Sequence, residues 1–415
     1  MLVPKLRFKR EDGTEYPEWS NQRFANAFAP LNNNTFSRDM LSESGSVCNI
    51  HYGDILVKYG EVCDIQKENT PKVNNDIDTG KYDLLQDGDI ILADTAEDET
   101  VGKAIEIYHI GTSKVVSGLH TMACRPNDKY APKYMGYYIN SPTYHNQLLP
   151  FMQGIKVTSI GRRNISDTVI YYPADMEEQQ KIADFLSTVD EVIAQSEAEV
   201  QNLEQQKKAA MQKIFSQEVR FKREDGTEHS EWEYARIDEI AEINPKTSAA
   251  LPDCFYYMDL GSVSMGAWRE KTITDKDNAP SRANRLASVG DVFFQSVRPY
   301  NMGHFFFEKE YDLPVVASTG FIQLRAKKGY CNGFIYQLLY EDRFNAEVNT
   351  RCTGSNYPAI NSDNFANIEM LIPCLEEQQK IADFLSAYDE AISYAKQELE
   401  LWKQFKKGML QQMFV

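Results

Sequence analysis

The stretch EEQQKIADFLS occupies residues 177–187 and recurs letter for letter at 376–386. The match continues without a gap from Glu177–Phe215 onto Glu376–Phe414, with 20 of 39 residues identical. A second repeat accompanies it: LRFKREDGTEYPEW at 6–19 returns as VRFKREDGTEHSEW at 219–232, with 11 of 14 positions identical. Segments repeated in the same order carry the same local folding instructions, so they predict a duplicated fold. The chain reads as two similar halves, each a leader, a long middle and a helix. The boundaries are a leader at 1–19, a first head at 20–176, a helix at 177–216, the repeated leader at 217–232, a second head at 233–375 and a second helix at 376–415.

The helices have a definite period. Ile182, Leu186, Val189, Ile193, Val200 and Leu203 recur in steps of three and four, with Ser196 in the same register. Ile381, Leu385, Tyr388, Ile392, Leu399 and Trp402 repeat that register in the second helix, with Ala395 between them. This is the a/d pattern of a coiled-coil seam. Two such helices in one chain most simply bury their seams against each other. The second helix ends at the equivalent of the point where the first runs into the repeated leader. Circular pseudosymmetry follows: halves related by a pseudo-two-fold, helices antiparallel, and the C-terminus leading into the first leader. At about 1.5 Å per residue, roughly 38 residues make a rod of about 57 Å.

The middles predict mixed α/β heads. Short apolar runs, GDILV (53–57), GDIILA (88–93), GDVFF (290–294) and VVASTGFIQLRA (315–326), predict strands between loops rich in Gly, Asn and Asp. Residues 131–150 and 331–348 predict helix. FKREDGTEY predicts a hairpin turning at Asp12–Gly13, and its copy one turning at Asp225–Gly226. The ends of the middles still align, QGIKVTSIGRRNISDTVIYYP (153–173) on TGSNYPAINSDNFANIEMLIP (353–373), with only four identities. The frame is shared and the surface chemistry is not.

No phosphate-cradling G-x-x-x-x-G-K-[ST], no H-E-x-x-H and no G-x-S-x-G occurs. No Asp or Glu stands two residues before a Lys, and the one Asn-Pro, Asn244-Pro245, lacks the aromatic that stacks a flipped base. The seven cysteines form no C-x-x-C pair and are expected to be reduced thiols in a cytoplasmic protein. No run of 18 apolar residues could span a membrane.

A PKLRF…EW leader, a variable middle, an EQQKIADFL helix start and the whole unit again resemble the specificity subunit of type I restriction–modification enzymes. The resemblance covers essentially the full chain. It implies that the heads are target-recognition domains, each reading half of a split, asymmetric sequence in double-stranded DNA. It further implies a non-catalytic subunit whose helices form an antiparallel coiled coil, set the unread spacer and seat two methyltransferase subunits. Restriction/translocase subunits would join that complex. S-adenosylmethionine, the methyl donor for adenine, is expected on the methyltransferase partners, with no cofactor and no metal on this chain. The two leaders, with Gln179, Gln180 and Lys181 and their copies Gln378, Gln379 and Lys380, are the expected docking surface, because duplicated partners need duplicated contacts.

Net charge is −17, which opposes a nucleic-acid partner. The heads are only mildly acidic: 14 Lys/Arg against 19 Asp/Glu over 20–176, and 14 against 18 over 233–375. The charge favours a rival reading, a coiled-coil adaptor whose heads bind proteins. Arg reads guanine in the major groove, and Asn or Gln reads adenine. The second head offers Gln295, Arg298, Tyr300 and Asn301 in FFQSVRPYNMG, Arg282 and Arg285 in SRANR, and Asn356 and Tyr357 in TGSNYPAI. The first offers Lys156, Thr158 and Ser159 in QGIKVTSI, Arg162 and Arg163 behind them, and Lys103. His120 is expected to be a satisfied core histidine.

Overall fold

The computed structural model describes residues 4–154, 157–246 and 250–415. The chain divides into two compact units, residues 1–197 with 397–415 and residues 198–396. Helix α1 (Met176–Phe215) and helix α2 (Leu375–Gln412) therefore each contribute one end to each unit.

In the first unit a five-stranded mixed sheet runs in the order Phe28–Pro30, Thr121–Pro126, Ile90–Ala93, Ala104–Tyr108, Val62–Asp64. A four-stranded sheet lies beside it in sequence, with Val47–Ile50 parallel to Lys114–Ser117. The second unit repeats the plan with Ala241–Ile243, Phe321–Ala326, Val292–Gln295 and Phe305–Phe306. In both heads the strand after the leader pairs with the strand entering the long helix, Trp19–Arg23 with Val169–Pro173 and Glu233–Arg236 with Glu369–Ile372. The mixed α/β heads agree with expectation.

One expected strand is a helix. Residues Tyr52–Val57 wind a turn and a half because the His51 Nδ1 accepts from the Gly53 amide and so caps the N-terminus. A short apolar run cannot distinguish a buried strand from a buried helix by period alone. The 315–326 run is two strands, Val315–Ser318 and Phe321–Ala326, broken at Thr319–Gly320.

The helix pair is antiparallel within each unit. In the first, Glu197 meets Lys403 at 2.7 Å and Asp190 meets Lys406 at 2.6 Å. In the second, Glu204 meets Lys396 at 2.7 Å and Lys207 meets Asp389 at 2.6 Å. Ile182, Leu186, Val189, Val200, Ile381, Leu385 and Ile392 are buried, and Ile193, Leu203, Tyr388, Leu399 and Trp402 are half-buried. The starts of both helices do more than line a seam. Ile182 and Leu186 pack with Leu410, Met413, Phe414 and the head tyrosines Tyr134, Tyr137, Tyr138 and Tyr144 in one core. Ile381 and Leu385 pack with Met211, Ile214, Trp232 and Phe334 in the other. The expected circular continuity is present: Leu6 N donates to Gln412 O at 2.9 Å, as Val219 N donates to Lys213 O at 3.1 Å.

Both leaders form the expected hairpins, bridged at Lys9/Glu15 and Lys222/Glu228, with Gly13 and Gly226 at φ +83° and +81°. Asp12 and Asp225 accept from the Thr14 and Thr227 amides and fix the turns. Each leader is clamped to the head of a long helix. Arg7 forms a forked pair with the fully buried Glu178, at 2.7 and 2.8 Å, and Arg220 does the same with the fully buried Glu377, at 3.2 and 2.8 Å. Trp19 and Trp232 donate indole N–H groups to the same carboxylates, at 3.5 and 3.1 Å.

Gln179 and Gln378 correct the docking expectation. Both are buried; Gln179 accepts from Ala131 N and donates to Pro173 O, and Gln378 accepts from Cys331 N and donates to Pro373 O. Lys181 and Lys380 turn onto the leader carbonyls of Lys9 and Lys222. Much of the letter-for-letter repeat is thus an internal joint that every copy of the fold needs. Gln180 and Gln379 make i,i+4 bonds to Asp184 and Asp383, and the Gln379 Oε1 also accepts from the Cys331 thiol at 3.5 Å.

Candidate nucleic-acid interface

In the second head three loops predicted separately come together. Ser296 sits at their junction: its amide and hydroxyl both donate to Gly320 O, at 3.0 and 2.7 Å, and its carbonyl accepts from Ile360 N at 3.0 Å. Arg298 N donates to Pro358 O at 2.7 Å, and Thr319 N donates to Arg282 O at 2.8 Å. Arg282, Arg298, Tyr300, Asn301, Asn356 and Tyr357 therefore share one loop cluster at the end of the sheet. Arg282, Tyr300, Asn301, Asn356 and Tyr357 are exposed.

The Arg298 guanidinium lies over the Tyr357 ring at 4.3 Å, and its Nε has no hydrogen-bond partner. Arg285, half-buried on Ala283–Leu286, also has an unpartnered Nε, and burial pushes its guanidinium below its ordinary value. A desolvated cation without an acceptor is costly, and a phosphate or base edge would supply one.

Gln295 is corrected: it is buried, its Nε2 donates to Val297 O at 2.8 Å and its Oε1 accepts from Gly303 N at 2.9 Å. It closes the neck of the loop and, being buried, does not present its amide to a base. His304 supports it from below, accepting from Gln295 N at 3.1 Å and stacking on Phe294 at 4.6 Å. Burial pushes the His304 imidazole down to about 3, so the folded head refuses the proton that an unfolded chain takes near its ordinary value. The stability this contributes is present above about pH 6.5 and lost as the pH falls toward 3. At pH 5 the second unit is expected to be about 2 kcal/mol weaker than at pH 7.5. Hydrogen exchange over 290–306 measured at both pH values checks this; His304→Phe should flatten the dependence, whatever its effect on absolute stability.

The first head places equivalent backbone in the same way. Asp94 N donates to His120 O at 3.1 Å and Asp94 O accepts from Ile160 N at 3.0 Å, matching Ser296 with Gly320 and Ile360. Gln153 and Ser159 exchange backbone bonds, as Thr353 and Ala359 do. Thr158 and Ser159 pair with Ala96 and Thr95, and Arg162 and Arg163 are exposed at the start of the short helix that follows. Lys156 lies outside the described residues. Lys103 is corrected: its Nζ donates to Leu56 O and Tyr59 O at 3.2 and 2.8 Å, tying down the Tyr52–Val57 helix. His120 is corrected in the other direction. It is exposed at the tip of the turn after Lys114–Ser117, at φ +53°, 3.3 Å from Asp94 Oδ1 and edge-on to Tyr52 at 5.3 Å. Its flanking Gly118-Leu119 turn was the available signal, since a histidine at a turn tip is seldom core.

The fold and the loop clusters define a class: a duplicated α/β protein with matched reading faces that carry unmatched side chains. The chain belongs to the type I restriction modification DNA specificity domain family, whose model matches residues 56–205 and again 229–401. It is a type I restriction–modification specificity subunit. It is similar to the MjaX specificity subunit of a type I restriction enzyme from Methanocaldococcus jannaschii, 23% identical over 377 residues, 86% of this chain and 82% of that one. The MjaVIII specificity subunit of the same organism is 25% identical over 57% of this chain and 59% of its own length. Among solved structures, the S subunit of a type I restriction–modification system from M. genitalium matches with a TM-score of 0.59 at 14% identity, over 100% of this chain and 99% of its own. A chain solved in work on complex assembly and conformational transition of the type I R-M system matches with a TM-score of 0.56 at 16% identity, over 96% of this chain and 98% of its own. At these identities the likeness to solved structures is one of fold. Among the described residues no helix is long and apolar enough to cross a membrane.

Proposed function

We propose that each head reads one half of a split, asymmetric sequence in double-stranded DNA. The observation that carries this reading is the pairing of equivalent backbone with unlike side chains. Asp94, His120 and Ser159 occupy the places of Ser296, Gly320 and Ala359, so one frame presents two different surfaces. The unpartnered guanidinium groups of Arg285 and Arg298 favour DNA over the adaptor reading, since both await an acceptor.

The chain acts as a non-catalytic subunit, with S-adenosylmethionine and the reacting groups on two methyltransferase partners and with restriction/translocase subunits joining them in the cytoplasm. All seven cysteines are free, in keeping with that compartment. Docking is best supported on what is copied and exposed after the internal joint is set aside. That leaves the hairpin residues Lys9, Glu11 and Glu15 with their copies Lys222, Glu224 and Glu228, together with the exposed Gln379 and its half-buried counterpart Gln180. Partners that share phosphate contacts offset the acidic charge of this chain, so it should bind DNA weakly alone.

The test is selection of bound duplexes from a random library by the chain assembled with its methyltransferase partner, at moderate salt. Enrichment of two short blocks around a fixed gap is expected, and exchanging 20–176 for another head should change one block only. No enrichment from a well-assembled complex would leave the adaptor reading standing.

A further inference from the structure

We infer that Arg298 is the guanine reader of the second head, held ready by a strained loop and by Tyr357; this rests on the DNA-reading function proposed above. The turn Arg298–Met302 begins and ends in left-handed backbone, with Arg298 and Met302 both at φ +50°. L side chains rarely adopt that conformation, and it persists only where the surroundings enforce it. Here they do. The Gln295 amide bridges Val297 O and Gly303 N across the neck of the loop, and Arg298 N is bonded to Pro358 O. Glycine would meet the same backbone demand without strain, so packing does not explain an arginine at this position.

The side chain is aimed and vacant. Among the described residues no carboxylate or carbonyl pairs with the Arg298 guanidinium, whereas Arg7, Arg125, Arg220 and Arg325 are each paired with a buried acid. The Tyr357 ring covers one side of the guanidinium, 4.3 Å from its Cζ, and the Nε is buried, so the terminal Nη1 and Nη2 are the groups left for an acceptor. A planar fork with a free edge matches the O6 and N7 acceptors of guanine in the major groove. A phosphate would also accept it, but phosphate contacts do not need a single rigid orientation and carry no sequence information. In the first head the equivalent position is Ala96, which is buried, so the guanine contact belongs to the second half-site alone.

Selection from the random duplex library with the assembled complex decides the matter. In the wild type, one position of the block contributed by 233–375 should be G·C. Arg298→Lys keeps the charge and loses the fork; it should reduce the G·C preference at that one position about 10- to 100-fold and leave the other positions unchanged. Arg298→Gly should do the same while raising the thermal midpoint, because it relieves the left-handed strain. Tyr357 is a positioning residue: Tyr357→Ala should weaken the same preference and Tyr357→Phe should restore it. A split motif left unaltered by both Arg298 variants overturns the guanine assignment and leaves the proposed function intact. Loss of affinity spread evenly over all sequences would make Arg298 a phosphate contact and overturn it too. Absence of any split motif in the wild type would bring down both.

Discussion

Arg220→Met is expected to destabilise the second unit by about 3–5 kcal/mol, among the largest effects of any single change in this protein. Glu377 is fully buried and its charge is met by the forked Arg220 guanidinium at 2.8 and 3.2 Å. Methionine fills a similar volume, so packing is largely kept and the cost is that of an uncompensated buried carboxylate. The Trp232 N–H at 3.1 Å remains and is a neutral donor, too weak to replace a cation. Arg7→Met should act alike on the first unit, since Trp19 stands off at 3.5 Å from Glu178. The double change Arg220→Met with Glu377→Gln should recover most of the loss, because removing both charges costs far less than removing one. Urea titration followed by hydrogen exchange in each unit reads the result. A loss below about 1 kcal/mol would place this pair among exposed surface bridges and refute the clamp.

Lys406→Met should cost the first unit a comparable amount, about 3–5 kcal/mol, while Lys207→Met at the equivalent place in the second unit should cost about 1 kcal/mol. The difference lies in what each lysine faces. Lys406 meets two carboxylates, Glu61 at 2.5 Å and Asp190 at 2.6 Å, and Tyr137 donates its hydroxyl to the other oxygen of Asp190 at 2.6 Å. Burial pulls the Lys406 ammonium down, but Glu61 and Asp190 more than offset this and hold it above its ordinary value. Without it two acids share a poorly solvated site. Lys207 faces one acid, Asp389, which is 39% exposed and also held by Gln337 at 2.8 Å, so water can take over. In the Lys406→Met protein, lowering the pH should restore stability, because burial already raises the Asp190 carboxyl and protonation removes the repulsion. A melt that is equally depressed at pH 5 and pH 8 would contradict this account.

The repeat made the duplicated plan, the helices and the hairpins legible, because period, turn residues and copied letters act locally. It misled where identity was read as surface. Gln179 and Gln378 are copied because each must satisfy a backbone amide and a carbonyl inside its own unit. Gln295 and Lys103 have the composition of readers, but polar groups beside a loop must also satisfy buried carbonyls and amides, and these two do so. His120 stands at a turn tip, which the Gly118-Leu119 pair before it signals more strongly than its aromatic ring signals core.

The sequence by itself therefore determined two α/β heads, an antiparallel helix pair, the hairpin leaders and a chain end that runs into the first leader, since these follow from periodicity and repetition. Only the tertiary structure decided which polar side chains are free. That depends on where each donor and acceptor finds a partner, and the partners lie far off in sequence: Glu178 for Arg7, Pro358 and Tyr357 for Arg298, and Glu61 for Lys406.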